Sequence, residues 1–175
     1  MLPKPAACRG CGLYGDSQGF VPDRLVPDAE VLILGQNPGA DEEQGERVVG
    51  IVYSGRRRVA VKEPNPDGPA PLIGMTGYDM ERTFFPLAGL TREGTSLANV
   101  LKCRQIVGGR RTNDLPKGKI LQEAVTHCTA AYLRIPPTTR LVVAMGALAA
   151  SYLGCPGSVS AWRGFLFESR GRAES

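Results

Sequence analysis

Three short runs of apolar residues stand out along an otherwise mixed chain, and each predicts a β-strand. They lie at residues 31–34, 97–103 and 141–145. A run that is apolar at consecutive positions is typical of a strand buried on both faces of a parallel sheet. The first run is short and wholly apolar, and we expect it to form the central strand of such a sheet.

Helical patterns separate these runs. Residues 120–133 carry apolar side chains at helical spacing, and Cys128 falls on the inward face of this predicted helix. A shorter helix is predicted over residues 78–85, ended by Pro86, and another begins at Gly146. Strands that alternate with helices predict an α/β fold with a mostly parallel sheet.

The remaining segments are predicted to be hairpins, helix starts and loops. Residues 48–62 form two β-prone stretches around Ser54-Gly55, which predicts a β-hairpin. The acidic residues 41–43 are suited to the first turn of a helix, so we interpret them as helix-start residues and not as catalysts. Residues 105–119 are predicted to form a polar loop.

Composition and charge narrow the class of protein. The 175 residues predict one domain, 1–175, with one sizeable core. No apolar run is long enough to span a membrane and no cleavable leader is visible, so we expect a cytoplasmic, intracellular monomer that is not secreted. The formal net charge of +4 gives mild support for a polyanionic partner.

Four cysteines limit the chemistry more sharply than any other feature. Cys8 and Cys11 form a C-x-x-C pair, while Cys103 and Cys128 stand alone far downstream. This pattern suits a four-thiolate site for a [4Fe–4S] cluster or for a structural zinc ion. A disulfide framework fits poorly, because the chain is long and poor in cysteine. A fifth thiol, Cys155, is interpreted as a small apolar residue of a turn.

Polar residues follow two of the predicted strands. Gln36 and Asn37 come directly after the first strand, and Arg104 follows the second. In open parallel sheets, binding sites form beyond the carboxyl ends of the strands. The sequence therefore predicts a functional site at this edge of the sheet.

Five stretches around this edge, together with the four cysteines, resemble the uracil-DNA glycosylase superfamily. The combination of C-x-x-C with N-V-L-K-C-R is most similar to the iron–sulfur (family 4-like) branch. The resemblance implies a three-layer α/β/α fold and a glycosylase active on uracil in DNA. The stretches are G-Q-N-P-G at 35–39, P-L-I-G at 71–74, N-V-L-K-C-R at 99–104, V-V-A-M-G-A at 142–147 and W-R-G at 162–164.

The chain also departs from that branch. Gln36-Asn37 stands where the branch usually has Glu-Ala, and this G-x-N-P-G form is similar to the mismatch-specific and single-strand-selective branches. Leu72 replaces the usual stacking phenylalanine, and the segment 44–70 is longer than usual. The His-Pro motif of the family is absent, since the only histidine is His127. We expect either a domain truncated at its C-terminus or a weak glycosylase.

The resemblance assigns a role to each residue that matches a motif. Asn99 would read the edge of a flipped uracil, and Asn37 would orient the attacking water. Gln36 and the backbone N–H groups beside Gly39 would face the departing uracil anion, and Leu72 would stack on the base. Cys8, Cys11, Cys103 and Cys128 would hold the [4Fe–4S] cluster.

Basic residues near the predicted site are assigned to phosphate contact, which positions DNA without reading its sequence. Two alternatives to an active glycosylase remain: a catalytically inactive relative that binds uracil or DNA, and a zinc-stabilised nucleic-acid module. A separate run of three arginines at 56–58 is interpreted as a solvated hairpin tip. The predicted phosphate contacts are Lys102, Arg104, Arg110, Arg111, Lys117 and Lys119.

Overall fold

A computed structural model shows a three-stranded parallel sheet at the centre of the chain. The strands are β1 (Val31–Gly35), β4 (Ser96–Asn99) and β7 (Leu141–Ala144), in the order β4-β1-β7. The structure describes residues 1–17, 19–107, 110–155, 158–162 and 164, apart from the side chains of Val107, Arg110, Arg111 and Trp162. The predicted parallel pairing and the central position of β1 are confirmed.

Helices cover both faces of this sheet. Leu32 and Leu34 of β1 pack with Ala149 of helix α5 (Ala147–Tyr152), and Val125 of helix α4 (Gly118–Tyr132) joins the same core. Ile33, between them in the sequence, points to the opposite face and packs with Phe85. Because successive strand residues face opposite sides, one apolar run fills two cores. The α/β/α layers that the resemblance implied are confirmed.

The helix that supplies Phe85 differs from the prediction. It begins with α2 (Met75–Asp79), continues through a π-helical turn (Met80–Phe84) and ends with α3 (Phe85–Leu87). The expectation that Pro86 stops it was wrong. Pro86 lies in the first turn of α3, directly after the π-helical turn, where its missing N–H group is tolerated.

Two hairpins lie outside the central sheet. The predicted one is confirmed as β2 (Glu46–Ser54) paired with β3 (Arg57–Pro64). The second pairs β5 (Gln105–Val107) with β6 (Arg110–Thr112), in a segment predicted as a loop. The strand predicted over 97–103 also ends early, at Asn99: residues 100–103 form bends, although the N–H groups of Val100 and Leu101 still donate to the carbonyls of Gly35 and Gln36.

Three short helices complete the described chain. The acids at 41–43 lie in α1 (Ala40–Gln44), as predicted, and α6 (Val159–Trp162) follows α5. A 3₁₀ helix (Ala6–Gly10) carries Cys8 close to α4.

Within the described residues, no helix combines the length and the apolar character needed to cross a bilayer.

Candidate active site

A cavity of about 420 Å³ lies at the carboxyl ends of β1 and β4. This is the edge at which open parallel sheets form binding sites. The structure brings together on its wall all five residues with predicted catalytic or base-binding roles: Gln36, Asn37, Gly39, Leu72 and Asn99. Glu42, Thr76, Asn113 and Gly146 also line it, although sequence reasoning assigned them no role there.

The main chain of Asn99, the last residue of β4, is hydrogen-bonded to a buried ion pair. Only 3% of the residue is exposed. Its backbone N–H donates to Oδ1 of Asp23 at 3.3 Å, and its backbone carbonyl accepts a hydrogen bond from the Lys102 ammonium. Lys102 Nζ in turn lies 2.6 Å from Asp23 Oδ1. Both main-chain polar groups of Asn99 are therefore fixed from the protein side.

The predicted contact between Lys102 and DNA disagrees with this arrangement, because only 1% of Lys102 is exposed. A buried ammonium must be paired, and Asp23 and the Asn99 carbonyl provide the partners. Burial lowers the pKa of Lys102 and raises the pKa of Asp23, while their attraction opposes both shifts. Lys102 thus positions Asn99 from inside the domain.

Gly35 allows the Asn99 side chain to lie flat against β1. The two residues are partners in the β1–β4 register. A Cβ atom at position 35 would overlap Oδ1 of Asn99. Glycine is therefore required here by close approach, independently of any turn.

Glu42 is the residue that sequence reasoning missed. Its Oε2 accepts hydrogen bonds from Nδ2 of Asn99 at 3.4 Å and from the backbone N–H of Gly39 at 3.2 Å. Its Oε1 accepts from the backbone N–H of Leu72 at 2.9 Å. One buried carboxylate thus joins three segments of the cavity wall and sets the direction of the Asn99 amide.

A local sequence signal for Glu42 existed. An acid three residues after a helix N-cap often reaches back to the N-cap N–H, and Gly39 and Glu42 have this spacing. The interpretation as helix-start acids is confirmed by their position in α1. That interpretation did not reveal the contact with Asn99, which comes from a strand distant in the sequence.

The stacking segment around Leu72 is held in a strained conformation. Leu72 has a φ of +55°, which non-glycine residues rarely adopt. The buried Arg92 guanidinium fixes it by donating to the carbonyls of Leu72 at 2.6 Å and Pro71 at 2.7 Å. Gly77 passes so close to the Leu72 carbonyl that a Cβ there would overlap it. The Leu72 side chain lines the cavity and also packs against Ile33 and Phe85.

Gln36 is tied to the helix that follows β7. Its Oε1 accepts a hydrogen bond from the backbone N–H of Leu148 at 2.9 Å. Its side chain also crosses the Cα of Gly146, where a Cβ would collide with it. The half-buried Gln36 side chain is therefore fixed through its Oε1. Its Nε2 is not used in the hydrogen bond with Leu148.

Asn37 reaches across the cavity to the segment after β6. Its Nδ2 lies 3.4 Å from the backbone carbonyl of Asn113. The Asn113 side chain accepts from Nε of Arg104 at 3.0 Å, and Arg104 pairs with the buried Glu43 at 3.3 Å. The predicted contact of Arg104 with DNA therefore also disagrees with the structure, because its guanidinium is buried and supports the cavity rim.

The other predicted phosphate contacts divide in two. Lys117 and Lys119 are exposed at the start of α4, where Lys119 makes only a 3.6 Å ion pair with Glu123. Arg110 and Arg111 belong to β6, and their side chains lie outside the described part of the structure. Arg163 of the W-R-G motif also lies outside it.

The four cysteines of the proposed metal site are buried free thiols. Cys11, Cys103 and Cys128 belong to one core cluster, and Cys8 Sγ lies 3.2 Å from the hydroxyl of Tyr132, one turn beyond Cys128 on α4. Burial raises the pKa of Cys103 and raises that of Cys128 to about 12. Across the described residues, no three potential ligands are arranged as a preformed metal site.

Glu42 makes stability depend on pH. Burial is the largest effect on its carboxyl and raises its pKa, although its three donors oppose the shift. Between the ordinary pKa of about 4.5 and the raised value, the folded protein holds a proton that the unfolded chain has released. The free energy of unfolding therefore falls as pH rises through this window.

We expect Glu42→Gln to reduce this slope, measured by urea unfolding at a series of pH values from about 4.5 upwards. Asp23, whose pKa is also raised, contributes to the slope that remains. Glu30→Gln is the matched control, because Glu30 is an exposed carboxylate whose ion-pair partner is Arg140. Identical slopes in Glu42→Gln and the unsubstituted protein would contradict the assignment.

Two comparisons with known proteins bear on this site. The model of a protein family described as the uracil DNA glycosylase superfamily matches residues 22–171, which include the whole cavity wall. A search of curated proteins finds no match to the chain.

Proposed function

Because the chain belongs to the uracil DNA glycosylase superfamily, we propose that its cavity excises uracil from DNA by hydrolysing the bond between base and sugar. A base in a duplex is out of reach of such a cavity, so it must first be flipped out of the stack. A volume of about 420 Å³ leaves room for one pyrimidine and a water molecule.

The observation that carries the proposal is the fixed amide of Asn99. Glu42 binds one hydrogen of Nδ2, which leaves the other hydrogen and Oδ1 as a donor and an acceptor. Uracil offers the complementary pair, with N3–H as donor and O4 as acceptor. Cytosine offers the reverse pattern, and a mismatched buried amide leaves unpaired polar groups. A fixed amide in this position supports discrimination between the two bases.

Asn37 is the residue best placed to orient the attacking water. It is half-buried on the same wall, and its Nδ2 makes two long contacts, at 3.5 and 3.4 Å. Among the described residues no donor contacts its Oδ1, which can accept a hydrogen bond from water. Because the sugar becomes strongly cationic in the transition state, water needs orientation more than activation.

The departing uracil anion needs hydrogen-bond donors. The backbone N–H of Gly39 is already used by Glu42, so it cannot fill the role that the resemblance gave it without releasing that bond. Nε2 of Gln36 is the remaining donor of that set. We assign it to the carbonyl oxygen on which charge develops.

We also propose that Cys8, Cys11, Cys103 and Cys128 hold a [4Fe–4S] cluster. The donor set fits the cluster in its chemistry, because all four thiols are buried, Cys11, Cys103 and Cys128 share one apolar core cluster, and Cys8 lies against Tyr132 on the helix that carries Cys128. When bound, the cluster would be a structural cross-link between the N-terminal segment, the chain after β4 and α4. Its formation requires the thiols to lose protons, which links cluster binding to pH.

The partner in this proposal is uracil-containing DNA. Lys117 and Lys119 are the exposed cations near the segment of Asn113 and supply candidate phosphate contacts. Such contacts release counterions, so each phosphate lost should reduce the salt dependence of DNA binding by about one unit of slope.

The test of the proposed function is an excision assay. A uracil-containing oligonucleotide is incubated with the cluster-loaded protein, and abasic sites are then cleaved with alkali. Cleavage at uracil but not at cytosine is the expected result. Tight binding of the oligonucleotide without cleavage would overturn the enzymatic proposal and favour a non-catalytic uracil-binding relative.

We expect Asn37→Ala to lose most excision while retaining most binding. Water orientation contributes mainly in the transition state, so the single-turnover rate should fall by about tenfold to a hundredfold. Binding to uracil-containing DNA, measured by fluorescence anisotropy, should change by less than about threefold. Glu30→Ala is the control, since Glu30 is exposed, pairs with Arg140 and does not line the cavity. Parallel losses of binding and excision would contradict the assigned role.

A further inference from the structure

The β2–β3 hairpin carries an apolar surface that nothing in the described structure covers. Val52 is 52% exposed, Val59 39% and Val61 42%. Of the residues in β3, only Ala60 is even half-buried. Exposed apolar residues grouped in this way are typical of an interaction surface.

The exposed residues of β3 alternate in a regular pattern. Arg57, Val59, Val61 and Glu63 share one face of the strand, because side chains two apart point the same way. Along the strand, this face therefore carries a positive charge, two apolar side chains and a negative charge. We call it the outer face of β3.

The opposite face is attached to the body of the domain. Arg58 pairs with Asp79 of α2 at 2.5 Å, and Lys62 pairs with Asp41 of α1. In contrast, neither Arg57 nor Glu63 has an ion-pair partner among the described residues. Arg47 of β2 lies opposite Glu63 in the register but forms its ion pair with Glu81. Arg57 and Glu63 therefore carry the charges of the outer face that no ion pair takes up among the described residues, while Arg58 and Lys62 are paired.

One edge of β3 is also unpaired. The hairpin is a two-stranded sheet, and over the described chain no third strand pairs with β3. Such an edge presents main-chain N–H and C=O groups that another strand can bind. Pro64 lies at the end of the strand, so no proline interrupts residues 57–63, and the N–H groups that point away from β2 can donate to another strand.

We propose that β3 pairs antiparallel with β3 of a second copy of this chain, around a two-fold axis at Ala60. Residues at equal distance from the axis then lie opposite each other. Arg57 of each copy faces Glu63 of the other, and Val59 faces Val61. The contact is isologous and closed, and joins the two hairpins into one four-stranded sheet.

The same register places Arg58 opposite Lys62 of the second copy. Like charges directly opposite are unfavourable in a sheet. Here each cation already has its own carboxylate, with Glu46 at 3.2 Å as a second partner of Lys62, so the repulsion is reduced. The two new Arg57–Glu63 pairs and the main-chain ladder favour the association. This association differs from the monomer that the sequence alone predicted.

Sedimentation velocity of the full chain, from low micromolar to near-millimolar concentration without DNA, tests the proposal. The unsubstituted protein should move from monomer towards dimer as concentration rises. Arg57→Glu and Glu63→Arg should each weaken self-association by about tenfold or more, because two attractive pairs become repulsive. An equimolar mixture of these two variants should associate again, since each supplies the charges the other needs.

Arg56→Glu is the matched control: it makes the same change of charge one residue earlier, outside the strand, and should alter association by less than about twofold. A protein that stays monomeric at every concentration would overturn the proposal. So would equal effects of Arg56→Glu and Arg57→Glu. If Arg56→Glu and Arg57→Glu lose DNA affinity equally and their sedimentation is unchanged, the proposal is overturned and both arginines are assigned to DNA contact. The excision assay is independent of all these outcomes.

Discussion

Asn99→Ala is expected to lower uracil excision by about a thousandfold and to weaken binding to uracil-containing DNA at the same time. The substitution removes the donor and the acceptor that the proposed mechanism uses to recognise the base edge. It also frees Oε2 of the buried Glu42 from one of its hydrogen bonds. Substrate recognition and cavity geometry are therefore lost together.

Two measurements make this expectation specific. Single-turnover excision and anisotropy binding, on uracil-containing and matched uracil-free oligonucleotides, should show that the preference for uracil disappears. Thr76→Ala is the control, because Thr76 lines the same cavity from an exposed position and should change either value by less than about threefold. A preserved uracil preference in a folded Asn99→Ala protein would contradict the assigned role.

Cys128→Ser is expected to abolish binding of the proposed cluster and to destabilise the protein severely. Cys128 is 3% exposed in the core beside Cys11 and Cys103. The hydroxyl of the new serine would therefore be a buried polar group with no metal to bind. A structural metal site contributes its binding free energy to folding, so its loss should cost several kcal/mol. The melting temperature should fall accordingly.

Iron and zinc analysis of anaerobically purified protein measures the first effect, with absorbance at roughly 400 nm as the optical readout. Cys155→Ser is the matched control, since Cys155 is also buried but does not belong to the thiol cluster. It should retain full iron content. A colourless unsubstituted protein with one zinc ion per chain would contradict the iron–sulfur proposal.

The sheet could be predicted because its signal is local and strong. Three mainly apolar runs favour buried parallel strands, although Asn99 and Lys102 interrupt the second, and the structure shows the first run at the centre as predicted. The end of the first strand was enough to place Asn37 at the cavity edge, whereas Asn99 was assigned from its motif, because the second strand was predicted to continue to residue 103.

Charged residues were harder to place from sequence. Lys102 and Arg104 follow a strand beside the site, and cations in such positions are usually solvated. Their burial depends on Asp23 and Glu43, which come from segments far away in the chain. Arg92 was missed for the same reason, because its hydrogen bonds are to backbone carbonyls that have no sequence signature.

The helix around Pro86 shows a different limit. A proline usually ends a helix, but the preceding π-helical turn changes the hydrogen-bond pattern locally. The second hairpin, β5–β6, was missed because each strand has only three residues, too few for alternation to be visible.

The close approach of Gly35 to Asn99 has an evolutionary consequence. A side chain at position 35 would displace Oδ1 of Asn99, so mutation there would act on the proposed base recognition through a residue on another strand. Effects at two such positions are expected to be strongly non-additive. Substitutions at the two positions should therefore be correlated among descendants of this sequence. Once the glycine is lost, selection no longer maintains asparagine at position 99.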